Sequence, residues 1–161
     1  MKPLITAIIL LFSTNSYSQD IKNLKQIDSI VTSINYSKIK VTKDSIIQNM
    51  PDLGLHMKTY LSSLIDGKQL RKYVNYVETD RMESGTLIQM TGCNTFYFYE
   101  NILIKVEEVV IADNQALQFN WYFSEDKCIY HSLPLDKVDS RDSQLLSMSK
   151  EFISKVLKNP N

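Results

Sequence analysis

Residues 96–105 read FYFYENILIK and residues 121–130 read WYFSEDKCIY, and the second segment can be laid on the first without a gap. Each copy runs an aromatic-Tyr-Phe triplet into a short acidic pair, Glu100-Asn101 or Glu125-Asp126, and leaves through a second apolar stretch. Aromatic and β-branched residues on both sides of a polar pair spell a β-hairpin. A two-residue turn then sets Phe98 opposite Leu103 and Phe123 opposite Cys128. Such aromatic-to-aliphatic pairs contribute about 0.2–1 kcal/mol each, enough to fix register. The phrase recurs because the chain makes the same kind of turn twice, and two copies are too few for a repeat array.

The same chemistry extends on both sides of the phrase, over residues 69–133. Strands are predicted near 69–79, 86–91, 95–100, 102–112, 115–124 and 127–133, punctuated by Glu83-Ser84-Gly85, Gly92, Glu100-Asn101, Asp113-Asn114 and Glu125-Asp126. Connections this short allow only antiparallel neighbours, because a parallel crossover needs a dozen residues or more. The expectation is an antiparallel meander of about five to six strands.

Alternation assigns the faces. Leu117, Phe119, Trp121 and Phe123 share one face of their strand, with Ala116, Gln118, Asn120 and Tyr122 on the other. Turning at Asp113-Asn114 sets the first group opposite Val110, Glu108, Val106 and Ile104, an apolar face interrupted by Glu108. A β-bulge at Glu107-Glu108 that turns the carboxylate to water accounts for the interruption. The functional alternative is a buried carboxylate in a pocket, able to hold a polar ligand. Trp121, in the middle of the cleanest alternation, is expected in the core.

Apolar residues at helical spacing flank the sheet region. Ile21, Leu24, Ile27, Val31 and Ile34 form one stripe; Leu53, Met57, Tyr60, Leu61 and Leu64 form a second, with Pro51 near its start and Asp66-Gly67 at its end. Between them VTKDSIIQN suggests a short third helix capped by Thr42, so residues 20–65 read as helical. Leu145, Leu146, Ser149, Phe152, Ile153, Val156 and Leu157 predict a closing helix over 141–158, capped by Asp139 or Ser140 and ending on Lys155 and Lys158. This helix should lie across the apolar face of the sheet, which makes the fold α+β.

Residues 1–18 carry one lysine, an apolar run from Leu4 to Phe12, and Ser16 and Ser18 at small-x-small spacing. That pattern is a secretory signal peptide, and the run is far short of the roughly 20 residues that span a bilayer. No cysteine stands there to take a lipid. The mature chain, 19–161, is expected to be one α+β domain, secreted or periplasmic, without a membrane span. Loss of Lys2 leaves 17 basic residues against 18 acidic ones, a net charge of −1. A surface so balanced offers no basic patch for nucleic acid.

Chemistry-bearing motifs are not evident. His56 and His131 are the two histidines, and neither has a second ligand at metal-site spacing. No G-x-S-x-G frames a serine and the glycines are isolated. The expectation is a protein that is not an enzyme and takes no cofactor or metal. The order of helices, meander and C-terminal helix is similar to helix-grip ligand-binding domains, which open on a strand that this pattern lacks; no site residue carries over.

Two functional classes follow. The first is an exported binding module of inhibitor, immunity or envelope-assembly type, meeting a protein partner in the cell envelope through Tyr97, Tyr99, Tyr122 and Gln118 on the outward face. The second is a carrier of a small apolar ligand, with Glu108 and Trp121 lining a pocket between sheet and closing helix. Cys93 and Cys128 are expected as free thiols, because a meander puts their strands about 14 Å apart and a disulfide needs Cα atoms within about 7 Å.

Overall fold

The computed structural model describes residues 23–50, 55–83, 85–112, 115–133 and 140–158. The chain divides into two compact units, residues 1–36 and 37–161. In the first, helix α1 (23–35) aligns Leu24, Ile27, Val31 and Ile34 along one face and ends where the Tyr36 amide bonds to the Thr32 carbonyl at 3.1 Å. The second is one antiparallel sheet of seven strands in sequence order, β1 (Val41–Met50), β2 (Leu55–Asp66), β3 (Gln69–Glu83), β4 (Thr86–Tyr99), β5 (Ile102–Ala112), β6 (Gln115–Ser124) and β7 (Lys127–His131), closed by helix α2 (Arg141–Lys158). The fold is mainly β and broadly α+β. Among the described residues no helix is long and apolar enough to cross a membrane. The proposed signal peptide and the Asp139 cap lie outside the described residues.

The repeated phrase is a repeated corner. Glu100 and Asn101 sit at φ 52° and 61°, Glu125 and Asp126 at φ 51° and 57°. Two successive left-handed residues make the turn whose twist matches that of the flanking strands. Phe98 pairs with Leu103 and Phe123 with Cys128, as the two-residue turn requires. Immediately beyond, each register slips by one residue: Tyr97 pairs with Lys105, leaving Ile104 extra, and Tyr122 pairs with Tyr130, leaving Ile129 extra. The β2–β3 corner has the same plan. Gly67, at φ 60°, opens its turn, Ile65 pairs with Leu70, and Arg71 is the extra residue before Leu64 meets Lys72. Three bulges at one end of the sheet bend it there, and the residues just inside them, Leu70, Phe98, Leu103 and Phe123, are all buried.

Asn101 ties two of these corners together. Its Oδ1 accepts the Leu70 amide at 2.8 Å and its Nδ2 donates to the Lys68 carbonyl at 3.2 Å. Asparagine also tolerates the left-handed backbone that the turn demands. Asn101→Ala should lower stability by about 1–2 kcal/mol, since it strands a part-buried amide and strains the turn; urea titration reads the shift.

Helix α2 packs on the face that holds Leu70, Tyr73, Phe96, Phe98, Leu103, Val106, Trp121 and Phe123, and adds Leu145 and Phe152 to that core. Phe152 stacks on Tyr73 at 4.2 Å between ring centroids and meets Phe96 edge-on at 5.0 Å. Ser149, the polar member of the buried stripe, satisfies its hydroxyl on the Leu146 carbonyl at 2.7 Å.

Four expectations are corrected. Residues 55–66 form strand β2 and 41–50 form strand β1, so the region 20–65 is not all helical and the sheet has seven strands rather than five or six. In β2, Leu55, Met57, Leu61 and Ile65 recur on one face at a period of two, which competes with the helical stripe, and pairing on both flanks decides for the strand. Gly92 is no turn: it pairs with Val77 and Val110 inside β4, which joins two expected strands into one. Ile104 does not share the face of Val106, because it is the bulged residue and Leu103 takes the inner place.

The two cysteines lie on opposite faces, Cys128 beside the core and Cys93 paired with Tyr76 and Val109 on the other side, and both are free. Burial pushes the Cys128 thiol up from its usual range. Alkylation of the denatured, unreduced protein should therefore add two labels, while native Cys128 reacts far more slowly than it does in urea. A mass that takes no label before reduction would contradict the opposed faces.

Candidate functional site

Glu108 stands on the helix face of β5, between Asn94 of β4 and Phe119 of β6. The register runs unbroken from Lys105 to Ala112 on the β6 side, so the bulge expected at Glu107-Glu108 is absent and the carboxylate is turned inward, 7% exposed. The first irregularity of β5 comes at Ile104 instead. Trp121 Nε1 donates to Glu108 Oε2 at 2.7 Å. Arg141, the first residue of α2, donates from Nε to Oε1 at 3.1 Å and from Nη2 to the same oxygen. Both oxygens are engaged by charged or indole donors, and the arrangement pins the start of α2 to the centre of the sheet. Arg141 Nη1 also donates to Gln144 Oε1 at 3.1 Å, which steadies the fork from within the helix.

Trp121 is fully buried, as the alternation predicts, packed across from Val106 and His131 with its ring 5.2 Å from the imidazole. It and Glu108 are brought together, but bonded to each other within a packed core.

On the opposite face a single lateral row crosses five strands: Lys72, Tyr97, Lys105, Tyr122 and Tyr130, each paired with the next. Tyr97 and Tyr122 hold the same place in the two copies of the phrase. Lys72 Nζ lies 5.1 Å from the Tyr97 ring centroid and Lys105 Nζ 4.9 Å from that of Tyr122, distances at which a cation is drawn to the ring face. Glu107 joins the row, accepting Tyr97 Oη at 3.0 Å and pairing with Lys105 at 3.1 Å. Burial lowers the Lys72 ammonium from its usual range, against the pull of Glu107 and Cys93. Tyr97 and Tyr122 were expected as exposed contact residues; they are 2% and 9% exposed. Tyr97 and Tyr122 thus belong to a row of side chains in contact with one another across the strands rather than to an open surface.

Tyr99 and Gln118 are exposed but stand at opposite ends of the sheet, Tyr99 beside the Glu100-Asn101 turn with the Arg71 guanidinium 5.7 Å from its ring, Gln118 opposite Val109. The structure does not gather the six sequence candidates into one site.

The end away from the bulged corners has a different character. β3 and β4 continue to pair with each other as far as Glu83 and Thr86, while the β4–β5 ladder stops at Met90 and Ala112. Thr86 to Gln89 thus form a projecting arm. Met82 and Leu87 face each other on it, 53% and 54% exposed, and Met90, Ile111 and Leu117 stand exposed nearby. Along the arm, His56, Lys58, Glu78, Asp80, Gln89 and Thr91 border a shallow polar depression of about 250 Å³. Gln89 Nε2 donates to Asp80 Oδ1 at 3.1 Å across it. Among the described residues no group of three or more His, Cys, Asp or Glu is placed to hold a metal ion. The expected strand 86–91 supplies the β4 half of the arm, whereas β3, expected to end at residue 79, runs on to Glu83.

In comparisons with known proteins, no family model, no curated protein and no solved structure matches the chain.

Proposed function

We propose that this chain is an exported binding module that meets a protein partner with the end of the sheet that α2 leaves uncovered. One observation carries the reading: Met82, Leu87 and Ile111, large apolar side chains of the central strands β3, β4 and β5, are exposed at that end on the face opposite α2, while Met90 and Leu117 are exposed there on the other face. Central strands ordinarily bury such residues, and large apolar side chains left exposed among polar neighbours mark a contact surface. The polar depression beside it supplies a rim of both charge signs. Among the exposed candidates from the sequence, Gln118 belongs to this end; Tyr99 does not. Inhibitor, immunity and envelope-assembly roles all fit a small module of this kind.

The carrier reading draws less support. The space between sheet and α2 is filled by Phe96, Phe98, Trp121, Phe123 and Leu145, each at most 1% exposed. Native mass spectrometry of the protein purified from its host should give the mass of the chain without a small apolar ligand; a retained ligand would favour the carrier.

Export is part of the proposal, resting on the apolar run and Ser16/Ser18 spacing. The protein from its native host should begin at Gln19 or Asp20 on N-terminal sequencing, and an intact Met1 would sink this part of the reading.

A further inference from the structure

Strand β1 forms the margin of the sheet. Every residue from Val41 to Gln48 is exposed, Ile46 to 40% and Ile47 to 63%, although these two point to opposite faces. The Ser45 amide is turned away from β2 and satisfied by the carboxylate of its own neighbour, Asp44 Oδ1, at 2.7 Å. Odd-numbered residues of β1 therefore aim N–H and C=O at the free edge while even-numbered ones pair with β2. An edge of ten residues whose charges are confined to Lys43 and Asp44 is open to strand addition.

We propose that a second copy of this chain pairs here, β1 against β1 and antiparallel, about a two-fold axis through Ile46, joining two seven-stranded sheets into one. The sequence of the strand selects this register. Counting outward from Ile46, Ser45 falls opposite Ile47 of the second copy, and both are edge-facing residues that can exchange two backbone hydrogen bonds. Asp44 falls opposite Gln48 of the second copy, whose amide can donate to the carboxylate as the Ser45 amide returns to the ladder. An axis through Asp44 would oppose two carboxylates, and an axis through Ser45 would set Asp44 against Ile46. The strand is thus polar-complementary to its own reverse. This inference stands apart from the partner surface proposed above, which lies on other strands.

The test uses the mature chain. Sedimentation equilibrium should give twice the chain mass at micromolar concentration, and Ile46→Lys, which sets two ammonium groups face to face on the axis, should return the mass of one chain with an unchanged far-UV circular dichroism spectrum. In a Cys93→Ser/Cys128→Ser background, Ile46→Cys should oxidise to a covalent dimer, because residues opposed in an antiparallel pair lie within disulfide reach. Thr42→Cys, which falls opposite residue 50 rather than its own copy, should stay monomeric on a reducing-agent-free gel. A wild-type chain that sediments as a monomer, or a dimer in which Ile46→Cys fails to cross-link, overturns the proposal.

Discussion

Trp121→Ala should lower the unfolding free energy by about 3–5 kcal/mol, the range for a large aromatic removed from a packed core. The indole is completely buried and its Nε1 is one of the donors that hold Glu108. Two effects therefore add: a cavity beside Val106, and a buried carboxylate that loses a partner. Trp121→Phe separates them, because it fills most of the space but cannot donate; it should cost about 1–3 kcal/mol, the penalty for leaving a buried acceptor short of a bond. Urea titration followed by circular dichroism checks both, since Trp121 is the one tryptophan of the chain. In the unaltered protein its emission should be that of an indole shielded from water. A water-exposed maximum, or a Trp121→Ala variant as stable as the parent, would count against the packed core.

Removing either partner of the Glu108–Arg141 pair should be destabilising, and removing both should cost less than the sum. A buried ion pair broken on one side leaves a desolvated charge, a penalty of about 3–5 kcal/mol for fully buried pairs. The Arg141 side chain is 31% exposed, so Glu108 without it keeps access to water, and Arg141→Met should fall nearer about 1–3 kcal/mol. Glu108→Leu leaves the guanidinium free to reach solvent, but it strands the Trp121 Nε1–H. The double variant, which removes the charge and its counter-charge together, should recover at least part of the loss, seen as a favourable coupling in a double-mutant cycle. Strict additivity would mean that α2 is not tied to β5 through this pair.

What the sequence disclosed divides along physical lines. The β4–β5 and β6–β7 corners were legible because the turn pair, the aromatic triplet and the following apolar run all point to one hairpin, and the pairs Phe98–Leu103 and Phe123–Cys128 are found. The bulges after those turns were not legible: nothing distinguishes Ile104 or Ile129 from an ordinary strand residue until the partner register is known. β2 was misread because Met57, Leu61 and Leu64 suit a helix as well as Met57, Leu61 and Ile65 suit a strand, and Asp66-Gly67 ends either element. Only the pairing of β2 with both β1 and β3, a tertiary fact, separates the two.

The candidate site shows the same limit. Alternation lined Glu108 up with the inner face, yet a bulge was expected to turn it to water; its counter-charge is 33 residues away at the start of a helix, a separation that no local motif spans. Tyr97 and Tyr122 were located correctly on the outward face; their contacts with Lys72, Lys105 and Glu107 join residues of β3 and β5 to β4 and β6, a tertiary arrangement that no local pattern spells. The exposed arm was obscured because Met82, Leu87 and Met90 are the residue types expected inside. The exposure of Met82 and Leu87 follows from strand length, since Met82 lies past the last β2 partner, at Arg81, and Leu87 past the last β5 partner, at Met90.

The most direct test of the proposed partner surface is site-specific photo-cross-linking in the native host. A photoreactive residue placed at Leu87, on the projecting arm, should yield a discrete cross-linked protein band, and the same residue at Lys150, on the solvent side of α2, should not. Bands of equal strength from both positions, or from Lys150 alone, would contradict the assignment of the uncovered sheet end as the contact surface.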